Sequence, residues 1–475
     1  MANWDRRDPK AQAKVTDALL RTQLRDGVGP FSPFWRERLA ALRVGAASIE
    51  KVADLRRIPA VGERDVCPDG DPRGAARLVL QADEAGFAAH TSGPDLRKAL
   101  VRRVIGRTAY RRQVEAGVRP TTYHFGGQAM TFPIASTRAD LDLVARAGNR
   151  AWQVLGLTRA DVLVSAVPVA ARLDHVALSY AALAAGAPAL FPGDDLVTAA
   201  ETLQMVPATV LAVRPDGAAD LLADLASTGT ALDGLRTVLL VGPADAEERA
   251  GVEEALAAGG ADGARVLVLH GPADGRVLWA ECSPGSGLHT YPDLDIVELV
   301  DPEIGEVAAP GAGGEVVVTQ LGFRGSALLR WRTGDLVDAP ISTGRCAGCG
   351  RTVPRVASDV RAGAFVQRMQ LPQGRASADL RAIAGALAGR ADLADWRVEV
   401  RPARRASLDE LVVFIDPRGD ETEAAVGAYR DVRAVSGIAP TQVVVVSAEE
   451  LAGRAEADTA GVLDRVLSPR IAVRR

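Results

Sequence analysis

Leu235 to Gly271, LRTVLLVGPADAEERAGVEEALAAGGADGARVLVLHG, decides the fold. Two short apolar runs, TVLLV and RVLVL, flank a charged stretch with helical spacing, and Gly or Pro punctuates each junction. A strand bounded this way and apolar on both faces belongs in a parallel sheet covered by helices on each side. Working outward, the same unit recurs upstream. DVLVSAV (161–167), APALFPG (187–193) and LQMVPATVLAV (203–213) supply strands, with ADLDLVARAGNRAWQVLGL (139–157) and HVALSYAALAAG (175–186) as helices around them. The core is therefore read as α/β.

On either side of this core the pattern changes. The opening to about Asp65 reads as helical, in ALLRTQLRDG, PFWRERLAALRVG and SIEKVADLRRIPAV. After Glu281 come turn-separated β segments, DIVELVDPEIGE, GGEVVVTQL and ALLRWRTGDLV, as in a smaller antiparallel sheet. Beyond Pro354 the order of strand and helix is βαββαβ, the ferredoxin-like arrangement. We therefore expect a large domain over 1–356 (helical start 1–65, α/β core 66–280, β region 281–356) and a small α+β domain over 357–475.

Composition narrows the function classes. The 475 residues are 48% hydrophobic and 24% charged, the composition of a folded globular chain. A net charge of -4 provides no general field for phosphate backbones, so no nucleic-acid partner is expected. The opening MANWDRRDPKAQAK is charged and no apolar run reaches bilayer length, which predicts a cytoplasmic protein without a membrane partner. The lysines are Lys10, Lys14, Lys51 and Lys98, so chemistry after residue 98 has no lysine ammonium to use.

The cysteines carry a sharper signal. Cys346-x-x-Cys349 has zinc-knuckle spacing, and Cys282 with His289 from the preceding β segment completes a Cys₃His set for a structural zinc ion. Cys67 has no such companion and is read as a structural residue.

In sequence order, several stretches resemble the phenylacetate-CoA ligase branch of the adenylate-forming enzymes. These are FSPFWRERLAALRVGAASIEKVADLRRIPAV, TRADLDLVARAG, SGLHTYPDLDIVELVDPEIGEVAAPGAGGEVVVTQL, LLRWRTGDLV and GRCAGCGRTVPRV. The resemblance implies an acyl or aryl carboxylate, or its coenzyme A thioester, as substrate. It also implies an adenine nucleotide with magnesium as cofactors, and a C-terminal domain that rotates between half-reactions; an acyl carrier protein is a further candidate partner. It assigns Thr333-Gly334-Asp335, read as a turn following a strand, to the ribose of a nucleotide or of coenzyme A. The turn His270-Gly271-Pro272-Ala273-Asp274 stands where the family holds magnesium with a glutamate. Asp274 keeps the carboxylate, and His270 stacks on a base, acts as a general base or simply bonds to backbone. His175, at the start of the helix lining the family's acyl pocket, is a candidate pocket residue.

Two departures accompany the resemblance. The phosphate loop is represented by His124 to Phe132, with Gly126 and Gly127 as its backbone cradle but Met130 where the family has lysine. Thr91-Ser92-Gly93 with Lys98 is the alternative loop, interrupted by Pro94-Asp95. Near the C-terminus, Val462 falls on the adenylation lysine, and Asp359 stands near the hinge arginine, with Arg361 two residues away. Three readings follow: an atypical enzyme that works without standard lysine-dependent adenylation, a non-catalytic homologue that binds a nucleotide, coenzyme A or a protein, and an ordinary ATP-dependent ligase.

Overall fold

The computed structural model describes residues 4–67, 71–90, 107–127, 131–170, 172–302, 304–362, 366–372, 374–402, 408–453 and 466–467. The chain forms two compact units, Met1–Arg361 and Ala362–Arg475, which divide five residues beyond the expected position.

Unit one opens with a helix over Pro9–Gln23. Asp8 Oδ1 caps it by accepting from the backbone N–H groups of Lys10 and Ala11. The helical path continues through Leu24–Val28 and Gly29–Phe31 to Pro33–Ala41. A hairpin follows, β1 (Thr122–Gly126) against β2 (Phe132–Ser136). The helix Arg138–Val154 starts with a reciprocal capping box: Thr137 Oγ1 accepts from Asp140 N–H, and Asp140 Oδ2 accepts from Thr137 N–H. Buried Asp140 also accepts from the N–H groups of Arg324 and Gly325, which pins a distant loop to this helix start.

The central sheet is built from β3 (Leu163–Ser165), β4 (Ala189–Leu190), β5 (Val210–Val213), β6 (Thr237–Val241) and β7 (Arg265–His270), all parallel. The short antiparallel strands β8 (Trp279–Ala280) and β9 (Leu288–His289) extend it. Every residue of β5 and β6 is buried, and in β7 all but Arg265, as a doubly covered sheet requires. Helices Leu173–Ala185, Leu196–Met205, Ala218–Ser227 and Ala246–Ala258 make the crossovers. A second, antiparallel sheet contains β10 (Asp295–Val300), β11 (Gly314–Gln320) and β12 (Trp331–Val337), and β13 (Arg355–Val356) returns to pair with β9.

Unit two has more elements than the expected βαββαβ order, with an extra strand before its first helix and a further helix and short strand after its last expected strand, and its sheet order differs from the ferredoxin-like one. Val366–Leu371 forms a hairpin with Gly374–Asp379, outside the four-stranded sheet. In that sheet Asp409–Pro417 pairs in parallel with Gln442–Val445, because the helix Glu421–Ser436 makes a crossover between them. Among the described residues, no helix is long and apolar enough to cross a membrane.

The joint between the two sheets of unit one holds an unusual acid. Asp295 is buried and accepts from Trp279 Nε1 at 3.1 Å and Gln320 Nε2 at 3.2 Å. Burial pushes its pKa up to about 7 against the pull of those two donors. A raised carboxyl pKa means that the folded state holds the proton more tightly than the unfolded one. Stability from this group is therefore full below about pH 4, declines as pH rises towards 7 and is level above. We expect Asp295→Asn to remove that slope, so that its unfolding free energy falls by roughly 2 kcal/mol less than the parent's between pH 5 and pH 7. Denaturant titrations of both proteins at the two pH values check this.

Candidate functional site

The site lies where β7 ends, at the carboxyl edge of the parallel strands, the usual place for ligands in open α/β sheets. His270 is the last residue of β7, and Asp274 lies in the loop after it. Thr333, Gly334 and Asp335 are placed differently from the expectation. They lie inside β12, not after a strand, because β11 and β12 shift register there: Glu315 faces Leu336 while Val317 faces Arg332. Three residues must then fit opposite one, and Gly334 takes a φ of 76° to allow it. Thr333 Oγ1 donates to Val316 O and accepts from Asp335 N–H, which fixes the bulge.

This bulge carries Asp335 to His270, with Oδ2 2.9 Å from Nε2. The partner of His270 is therefore a side chain and not backbone. Both residues are deeply buried, with 3% of His270 and 1% of Asp335 exposed. Next to them Asp274, also 1% exposed, accepts from Trp331 Nε1 at 2.6 Å through Oδ2. Burial raises the Asp274 pKa well above the carboxylate range and the nearby carboxylates of Glu63 and Asp335 add to it, while Trp331 and the Gly127 N–H oppose. Gly126 closes over this acid: a Cβ there would lie 3.1 Å from Asp274 Oδ1 and 3.0 Å from Ile134 Cγ1. Seven expected site positions, Gly126, Gly127, His270, Asp274, Thr333, Gly334 and Asp335, thus share one region.

One Asp274 carboxyl oxygen is spent on the Trp331 indole N–H, so a magnesium ion would find only Oδ1 of this residue to bind.

His175 stands apart, near the start of the helix Leu173–Ala185, with its ring edge-on to Phe191 at 5.5 Å. Burial lowers its pKa, against the opposing charge of Asp174. Arg361 donates to Asp338 at 2.5 Å, while burial and the carboxylates of Asp245 and Asp338 raise the pKa of Asp359. Thr91 to Asp95, Lys98, Gln128 to Met130 and Val462 lie outside the described residues.

Sequence reasoning did not find the residues that hold the site together. Arg276 is buried and donates to Gln320 Oε1, Ala135 O, Ser326 O and Ser136 Oγ, riveting the loop after β7 to β2 and β11. Trp331 supplies the indole N–H to Asp274, and Arg330, at a φ of 39°, donates to Ile58 O and Glu298. No local motif signals them, although LLRWRTGDLV as a block contains Arg330 and Trp331.

The second constellation is the cysteine cluster. The donor atoms of Cys282, His289, Cys346 and Cys349 all lie within 4.8 Å of one another. Cys282 Sγ is 3.7 Å from Cys346 Sγ, and Cys349 Sγ is 3.2 Å from His289 Nε2. His289 Nδ1 lies 3.2 Å from Ala280 O, and with the proton on Nδ1 the lone pair of Nε2 faces the thiols. Burial lowers the His289 pKa to about 4, so the ring is neutral at pH 7, as a metal ligand must be. Three sulfurs and one imidazole make a closed tetrahedral donor set. The knuckle also holds the start of the chain, since Arg6 donates to Cys349 O and Thr352 N–H donates to Asp5 O. Cys67 is buried in the core away from this cluster.

No family model matches this sequence, and no curated protein matches it. Solved structures do. A 2-hydroxyisobutyryl-CoA ligase in its postadenylation state, in complex with 2-HIB-AMP, matches with a TM-score of 0.66 at 18% identity over 99% of this chain and 92% of that one. The same enzyme in its thioesterification state, with 2-HIB-AMP and coenzyme A, matches with a TM-score of 0.61 at 18% identity over 98% and 91%. The chain therefore has the fold of the adenylate-forming CoA ligases along nearly its whole length.

A metal in the cluster would contribute folding free energy directly. We expect protein purified without added metal to contain about one divalent ion per chain by elemental analysis. Chelation, or Cys349→Ser, should lower the melting temperature by several degrees.

Proposed function

We propose that this chain is a divergent, atypical enzyme of the phenylacetate-CoA ligase-like branch. It acts on an acyl or aryl carboxylate, or its thioester, without lysine-dependent adenylation. The observation that carries this reading is the convergence of His270, Asp274 and Asp335 under Gly126 at the carboxyl edge of the parallel strands, on a fold matched end to end by a CoA ligase.

Thr333, Gly334 and Asp335 are the ribose-recognition element for an adenine nucleotide or coenzyme A. A carboxylate has about four acceptor positions, so one such group can serve both an imidazole N–H and a ribose hydroxyl. Gly126 and Gly127 supply backbone beside that ligand, and His175 faces the acyl group. The metal in the Cys₃His cluster is zinc, favoured by three thiolates, one imidazole and closed four-coordination. Its role is structural: it fastens the edge of the central sheet. An acyl carrier protein is the macromolecular partner this chemistry would accept.

Calorimetric titration with ATP, AMP and coenzyme A tests the reading. We expect at least one to bind, and Asp335→Ala to weaken binding by about 1.5 to 3 kcal/mol, the range for hydrogen bonds to a charged group. Absence of binding by all three would refute it. Carboxylate-dependent ATP–pyrophosphate exchange should be negligible with phenylacetate, benzoate and simple fatty acids. Robust exchange would instead restore the ordinary ligase.

A further inference from the structure

His270 and Asp274 each leave one polar atom unsatisfied in the protein interior. His270 Nδ1 is buried without a hydrogen-bond partner, and Asp274 Oδ1 is buried with no well-formed hydrogen bond, although the Gly127 N–H acts on this carboxyl group. Such atoms are rare in folded proteins and call for an explanation. With Asp335 accepting from Nε2–H, the neutral ring carries its lone pair on Nδ1, an acceptor awaiting a donor. Asp274 is the converse. Its Oδ2 is taken by Trp331, so a proton on the acid resides on Oδ1, a donor awaiting an acceptor. Burial with Glu63 and Asp335 nearby favours the protonated form. His270 Nδ1 and Asp274 Oδ1 stand on neighbouring elements with Asp335 close to both residues, and they supply one acceptor and one donor, the roles that a general base and a general acid require.

Resting on the function proposed above, we infer that the substrate is an already activated acyl thioester, with His270 as general base and Asp274 as general acid for transfer to a hydroxyl, amine or water. The acceptor X–H attacks the thioester carbonyl and a C–X bond forms as its proton passes to His270 Nδ1. The tetrahedral intermediate then collapses, the C–S bond breaks, and its electron pair leaves on sulfur, which takes the proton from Asp274 Oδ1. The imidazolium proton returns to Asp274 through solvent. The products are R–CO–X and a free thiol, with nothing oxidised or reduced and no phosphate involved. Asp335 is a positioning residue that fixes the tautomer and orientation of His270.

The test is thiol release by the full chain from acetyl-, benzoyl-, phenylacetyl- and decanoyl-CoA, in water and with hydroxylamine as acceptor. At least one thioester should be cleaved above the protein-free rate, with hydroxamate formed. His270→Gln and Asp274→Asn should each lower kcat by about 10² or more with little change in KM. No release from any of the four, or full activity in His270→Gln, overturns the inference. Should the variants fail to fold, two-bond ¹H–¹⁵N spectra of the parent decide: the His270 proton is expected on Nε2, and finding it on Nδ1 overturns the assignment. In Asp335→Asn the same spectra should show the Nε2–H population falling, a change that loss of packing alone would not produce. Coenzyme A that binds by calorimetry while every thioester stays intact would refute this inference and leave the proposed function standing. Failure of coenzyme A and both nucleotides to bind would remove the proposed function itself.

Discussion

The constraint on which the site depends is the buried guanidinium of Arg276. It sits in the loop after β7, and its donors go to two backbone carbonyls, one amide oxygen and one hydroxyl. An unpaired charge in that position would destabilise the fold strongly, so these partners must be present together or not at all. Their sources are β2, the loop after β11 and β11 itself, which are the elements that bring the hairpin and the second sheet to the end of the first. Asp140 reinforces the same joint from the helix side by accepting from Arg324 and Gly325. The candidate site is thus a by-product of an interior polar lock between two sheets, and His270 and Asp274 inherit their positions from it.

Within this lock, burial decides the chemistry more than composition does. Burial beside Glu63 and Asp335 pushes the Asp274 carboxyl group toward its neutral form, whereas the imidazole of His270, only four positions back in sequence, faces Asp335. The register shift in β12 is what separates their fates, since it delivers Asp335 to His270 and leaves Trp331 for Asp274. A regular β12 would alternate its side chains without interruption and could not present these residues in the same way.

Much of this was legible in the residues. The parallel strands announced themselves through short apolar runs between Gly and Pro, as in TVLLV and RVLVL, because burial on both faces leaves no other pattern. The Cys₃His cluster was legible because a turn-held C-x-x-C pair fixes two donors locally and few other residues can complete it. Thr333-Gly334-Asp335 was recognisable as a motif, yet its place inside a strand was not, since a bulge is defined by the partner strand's register. Arg276, Trp331 and the orphaned nitrogen of His270 were invisible for the same reason: their roles are tertiary contacts between residues dozens of positions apart. In unit two most strands could be read, but the strand Gly374–Asp379 and the sheet order could not, because pairing depends on tertiary contacts.

The balance of charge around the site bears on which activated acyl group the fold can serve. Glu63, Asp274, Asp335 and Glu315 gather carboxyl groups there, while the neighbouring arginines are already engaged. Arg276 is consumed by the lock, Arg330 by Ile58 O and Glu298, and Arg332 by Glu315 and Pro302 O. A triphosphate would need cations that these residues do not offer, and preorganised charge is what phosphoryl chemistry depends on most. A thioester makes no such demand at its reacting carbon. It needs a base for the incoming nucleophile and an acid for the departing sulfur, the two roles we propose for His270 and Asp274, and neither role calls for a lysine.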